Sequence, residues 1–114
     1  GSYLNVYDNN ALTAFTMDEL DTLGAHFDFA ENNALVNFPD FAALTVIPSY
    51  LNISGNNMLA TMGLVNLTTV TTNLTITSNP SLQIVDITAW RDGTDGTPAV
   101  TVSGTTNISG NGGQ

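Results

Sequence analysis

The only histidine of the chain, His26, stands two residues before Asp28. On an extended backbone that spacing puts the imidazole and the carboxylate on one face. Such a pair supplies two members of an acyl-transfer triad, which also needs a nucleophile within reach and donors for the developing oxyanion. The sequence has no cysteine and no lysine, and its one arginine, Arg91, lies far along the chain from His26. The pair is therefore read as surface hydrogen-bonding chemistry, and the chain as a non-enzyme that uses no cofactor. A second group, Asp92-Gly-Thr-Asp95-Gly with Asp86 upstream, carries the oxygen ligands calcium prefers. It lacks EF-hand spacing, and Asp-Gly pairs are ordinary turn chemistry, so no metal site is assigned. Asp18, Glu19 and Asp21 read as the solvated first turn of a short helix, favoured by its dipole. Sequons at Asn52, Asn66, Asn73 and Asn107 are close to what this Asn/Ser/Thr-rich composition gives by chance.

A repeat positions these groups. The string Leu4-x-Val6-x-x-Asn9-x-x-Leu12-x-x-Phe15 returns as Phe27-x-Phe29-x-x-Asn32-x-x-Leu35-x-x-Phe38. It returns again from Leu51 to Met62 and from Leu74 to Val85, with steps of 23, 24 and 23 residues. Leu20, Leu44, Leu67 and Trp90 form a further column, as do Leu23, Ile47 and Val70. A weaker fifth copy is read at Val100-x-Val102, with Thr105 in the Asn column and Ile108 in the Leu column. Each copy alternates like a short strand and is too small to bury its apolar residues alone; stacked copies share one core. The prediction is a β-rich solenoid with one parallel sheet of about five short strands and short helical or irregular returns. Rungs start near residues 3, 26, 50, 73 and 99. Residues 3–108 form a single domain, 1–2 read as a cloning scar, and 109–114 as a flexible Gly-rich tail. Thr16-Met-Asp-Glu19 is a capping box, and Pro39 suits a first helical turn ahead of Phe41–Leu44. The Val/Thr-rich stretch from Leu64 to Thr72 favours extended or irregular backbone.

Within this frame the Asn column (Asn9, Asn32, Asn56 and Asn79) is expected to end each strand and satisfy the backbone that the bend leaves unpaired. The strand residues that point outward form three further columns. One reads Tyr3, His26, Tyr50, Asn73, Ala99; the next Asn5, Asp28, Asn52, Thr75, Thr101; the last Tyr7, Ala30, Ser54, Thr77, Ser103. Aromatic rings beside planar amides and a carboxylate suit a sugar ring or an extended peptide. Tyr3, Asn5, His26, Asp28, Tyr50, Asn52 and Thr75 are the candidate ligand-binding residues.

Composition removes other partners. Ten acidic residues against one arginine give a formal net charge of -9. Nucleic-acid and anionic-membrane binding need clustered basic residues, and no apolar run approaches the roughly 18 residues of a membrane span. A 42% hydrophobic content separates the chain from disordered acidic tails.

The segments Leu51-Asn-Ile-Ser-Gly-Asn-Asn-Met-Leu59, Leu64-Val-Asn-Leu-Thr-Thr-Val70 and Leu74-Thr-Ile-Thr-Ser-Asn-Pro-Ser-Leu82 resemble the leucine-rich repeat, and more closely its receptor L-domain variant in bacterial surface proteins. The resemblance covers residues 3–90 well and 100–108 poorly, with no cysteine-rich cap. It implies a recognition or adhesion module, secreted or cell-surface, that binds a cell-surface glycan or protein through the exposed strand face. The alternative is the tip or a segment of a homo-oligomeric, trimeric adhesive fibre. A parallel β-helix enzyme acting on polysaccharide ranks last. The first repeat begins at Tyr3, so its apolar end is expected to be covered, by further chain or by a partner.

Overall fold

The computed structural model describes residues 3–113. Its five-stranded sheet consists of β1 (Leu4–Tyr7), β2 (Phe27–Ala30), β4 (Leu51–Ser54), β6 (Leu74–Thr77) and β8 (Thr106–Ser109), in that order and all parallel. A second parallel sheet of three two-residue strands, β3 (Val46–Ile47), β5 (Thr69–Val70) and β7 (Thr101–Val102), runs along the return side. The protein is a β-solenoid. Leu4, Phe27, Leu51 and Leu74 stack in register, as do Val6, Phe29, Ile53, Ile76 and Ile108. Their alternation with polar residues drives the fold: from β2 to β6 the inward residues are 0% exposed, and each contributes about 1.5–3 kcal/mol of burial. Phe15, Phe27, Phe29, Phe38 and Phe41 form one aromatic cluster with centroid separations of 4.5–6.4 Å.

The Asn column is a continuous ladder. Asn9 Nδ2 donates to Asn32 Oδ1 (2.9 Å). The backbone N–H of Asn32 donates to Asn56 Oδ1 (2.9 Å), that of Asn56 to Asn79 Oδ1 (3.1 Å), and that of Asn79 to Asn111 Oδ1 (3.2 Å). Asn32, Asn56 and Asn79 are fully buried, and every buried side-chain polar atom among the described residues has a partner. Just before the ladder, Asp8, Glu31, Gly55, Ser78 and Gly110 all adopt positive φ, between 58° and 68°. This left-handed step turns each strand into its bend.

Three expectations are corrected. Val100–Val102 does not open the fifth rung. Thr101–Val102 joins the second sheet, and the fifth strand is Thr106–Ser109, paired with β6 as Leu74↔Thr106 and Thr75↔Asn107. The last lap is longer because its return folds as a helix, α1 (Ile84–Asp92), stopped by left-handed Gly93 and followed by a loop. The outward columns therefore close on Thr105, Asn107 and Ser109 rather than Ala99, Thr101 and Ser103.

Secondly, residues 109–113 are held rather than trailing: Ser109 ends β8, Asn111 and Gly112 are buried, and Gly112 N–H donates to Leu82 O at 2.7 Å. Gln114 and Gly1-Ser2, the expected scar, lie outside the described residues.

Thirdly, the single helical turn expected at Glu19–Leu23 and the short helix expected from Phe41 are isolated non-helical turns, closed by Leu20 N–H to Met17 O and Leu44 N–H to Phe41 O. Pro39 and Gly63 occupy the second and third laps where the fourth has Asp86, and both disfavour helix interiors. The fourth lap, which has neither, winds into α1 and buries Ile87 and Trp90, whereas the first lap, with Thr16 at that position, forms only a turn. Thr69–Val70, inside the Val/Thr-rich stretch, is extended as expected.

Candidate functional site

In-register parallel pairing brings the outward residues of the first three rungs together. Register places Asn5 beside Asp28 and Asp28 beside Asn52. Tyr3, His26 and Tyr50, one residue before each strand, stack face to face. Their centroids are 4.7 and 4.5 Å apart and their planes lie within 10° and 4° of parallel. Both faces of His26 and one face of each tyrosine are thus covered.

A hydrogen-bonded row lies beside the rings. His26 Nε2–H donates to Asn5 Oδ1 (3.1 Å), and Asn52 Nδ2 donates to Asp28 Oδ1 (2.8 Å). A shallow depression of about 460 Å³ sits over this row, lined by Asn5, Tyr7, Asp8, His26, Asp28, Ala30, Glu31, Tyr50 and Asn52. Asp8, Asp28 and Glu31 make it acidic, and no lysine or arginine lines it. Burial, and secondarily the charge of Asp28, pushes the Tyr50 phenol above its ordinary pKa.

Five of the seven candidate residues (Asn5, His26, Asp28, Tyr50 and Asn52) line this depression. Tyr3 completes the ring stack at its open end and is 59% exposed. Thr75 lies one rung further on, paired in register with Asn52 and outside the depression. Tyr7, Asp8, Ala30 and Glu31 were not among the candidates. The signal for Asp8 and Glu31 was their shared place, directly after the strand and before the Asn column.

The other chemistry-bearing groups are used internally. The Asp92 carboxylate pairs with Arg91 (2.9 Å), whose hydrogen bond holds it below the usual carboxylate range. Arg91 lies in the last turn of α1. Asp95 Oδ1 accepts from the Thr97 amide (3.0 Å) and hydroxyl, and the hydroxyl bond lowers its pKa. Among the described residues no three His, Asp or Glu side chains converge closely enough to hold a metal ion, and no helix is long and apolar enough to cross a membrane. No protein-family model, curated protein or solved structure matches this chain.

Proposed function

We propose that this domain is a non-enzymatic recognition module of a secreted or cell-surface protein, and that it binds a glycan or a protein segment through the outward face of its first three rungs. The observation that carries this reading is the acidic depression whose polar groups are already fixed by the ring stack and by the Asn5–His26 and Asp28–Asn52 bonds. Groups held before a ligand arrives lose little entropy on binding. Both faces of His26 and the inner faces of the two tyrosines are covered, so over the depression the ligand meets ring edges, amides and carboxylates. A partner rich in hydroxyl or amine donors suits that surface. The resemblance to receptor L-domains of bacterial surface proteins points the same way.

The test is a glycan array followed by cell-adhesion measurements, comparing the parent with the Asp28→Ala/Tyr50→Ala double variant. Loss of a central anchor costs about 2 kcal/mol or more, near thirtyfold in affinity. Binding lost with an unchanged melting temperature supports the reading. Binding retained by the double variant removes the front face as the ligand surface.

A further inference from the structure

The centre of the front face lies on interior strands: β2 pairs with β1 and β4, and β4 with β2 and β6. The backbone N–H and C=O groups beneath it are committed to the ladder, so a ligand on this face finds its partners in side chains alone. Side-chain size then shapes the surface. Outward along one rung stand His26, Asp28 and Ala30, and along the next Tyr50, Asn52 and Ser54. Each rung presents a ring, a planar polar group and a small side chain, in that order. The surface steps down from the ring column to a trough over Ala30 and Ser54, which runs across the strands along the solenoid axis. The depression over Asn5, Asp28, Asn52 and Ala30 belongs to it. β2 and β4 have neighbours on both sides, so a further rung lengthens the trough and leaves it open.

The period of the trough selects a ligand backbone. Rungs repeat at about 4.8 Å, so equivalent groups two rungs apart are separated by about 9.6 Å. A polyproline II helix completes a turn in three residues, about 9.3 Å. Its residues i and i+3 therefore meet equivalent groups on alternate rungs. An extended strand repeats at about 6.8 Å and falls out of step. The hydrogen-bonding groups agree. Asn52 Nδ2 donates one hydrogen to Asp28 Oδ1 (2.8 Å) and keeps a second. The Tyr50 phenol, held protonated by burial and by the charge of Asp28, is a further donor. Such donors suit the carbonyls of a polyproline II segment, which has no internal hydrogen bonds, and proline brings no N–H that needs an acceptor. Asp28 Oδ2 has no partner among the described residues, Glu31 lines the same depression, and no basic side chain does. A flat sugar needs an open aromatic face, and both faces of His26 and the inner face of Tyr50 are covered.

We infer that the front face takes a proline-rich segment of a partner protein in the polyproline II conformation. The segment lies across β2 and β4 with Pro-x-x-Pro spacing, its prolines against the ring edges and an arginine over Asp28 and Glu31. This inference rests on front-face recognition and narrows the ligand to a peptide.

The test titrates the isotope-labelled full chain with the synthetic peptide Pro-Pro-Ala-Pro-Pro-Arg-Pro-Pro, followed by NMR. The expected result is saturable binding, with shifts centred on the Asn52 side-chain amide and the Tyr50 ring. A peptide with glycine at every proline keeps the arginine but loses the preset backbone, and binds about tenfold more weakly or worse. Asp28→Asn still accepts from Asn52 but carries no charge. It weakens the parent peptide about tenfold and leaves unchanged the binding of a peptide with alanine in place of arginine. Ala30→Trp fills the trough from an outward position and abolishes binding of both proline peptides at an unchanged melting temperature. No binding at millimolar peptide, equal binding by the glycine peptide, or full binding by Asp28→Asn or Ala30→Trp overturns the inference. If a glycan then binds and the Asp28→Ala/Tyr50→Ala variant loses it, front-face recognition stands and the peptide alone is refuted. If the double variant alters no binding, both readings fail.

Discussion

Replacing Asn56 by Ala tests the ladder at its centre. The side chain is fully buried and donates to Asn79 Oδ1 (2.9 Å) and Ser54 O (3.1 Å), with a longer approach to Phe29 O (3.4 Å). Its Oδ1 is the acceptor for the Asn32 backbone N–H (2.9 Å). Truncation orphans that buried N–H and removes the donor from two further oxygens. At about 1–3 kcal/mol for the orphan and roughly 1 for each further lost bond, the cost is about 3–5 kcal/mol. That is a large part of the stability of a domain this size. Asn9→Ala removes the same kind of side chain from the open end, where solvent reaches it, and costs about 1 kcal/mol or less. Urea unfolding at matched m-values measures both. A difference below about 1 kcal/mol between the two variants would refute the claim that the ladder is a buried, fully satisfied network. Asn56→Asp adds a pH test. Burial beside Asn79 Oδ1 and Ser54 O raises the folded-state pKa of the introduced carboxylate above its unfolded value of about 4. Folded chain then binds more protons than unfolded chain, so the variant is most stable below about pH 4 and loses stability as pH rises.

Gly63→Ala puts a Cβ 2.0 Å from Pro39 O and 2.6 Å from Phe38 O, both backbone atoms; thermal unfolding should show a loss of about 3 kcal/mol or more, at or above the usual cost of overpacking. Glu31→Gly exchanges a left-handed non-glycine residue (φ 58°) for one with no steric penalty; the gain offsets the added unfolded-state entropy, and denaturant midpoints should agree within about 0.5 kcal/mol. Spectrophotometric titration should show Tyr50 ionising above an ordinary tyrosine, with Asp28→Asn lowering its pKa only in part because burial is the larger cause. Neutral Tyr50 stabilises the fold up to the unfolded pKa of about 10, and that contribution is lost as pH rises further.

Four rungs were legible because each position of the repeat carries one physical job. Inward strand residues are apolar from Leu4 to Ile76, and the ladder admits only a side chain with both a donor and an acceptor. The fifth rung was hidden by the assumption of a constant period. Thr106-Asn-Ile-Ser-Gly-Asn111 repeats Leu51-Asn-Ile-Ser-Gly-Asn56 at all but its first position, yet it follows Leu74 by 32 residues, as the Asn79–Asn111 bond reflects. Val100-x-Val102 stood nearer the expected place and looked more apolar. The second sheet was unreadable because its two-residue strands are too short for any periodicity. The ring stack followed from register alone. The acidic rim did not, since Asp8 and Glu31 share a left-handed position with Gly55, Ser78 and Gly110 that no common residue type marks.

The backbone itself limits what the proposed front-face site could recognise. Parallel strands repeat at about 4.8 Å, and planar side chains in one column inherit that spacing, as the 4.7 and 4.5 Å separations of Tyr3, His26 and Tyr50 show. A solenoid that piles rings in a column therefore covers them with one another. Of the three rings only Tyr3, at 59% exposure, has its outer side beyond the column. A sugar lying flat on an aromatic platform is restricted to that end. Over the rest of the depression, selectivity falls to hydrogen bonds with ring edges and to Asp8, Asp28 and Glu31. These carboxylates make the two ligand classes separable by one physical variable. An amine-bearing ligand loses affinity as ionic strength rises and the Debye length shrinks from about 10 Å at 0.1 M to about 3 Å at 1 M. A neutral glycan held by its hydroxyl groups stays nearly constant over the same range.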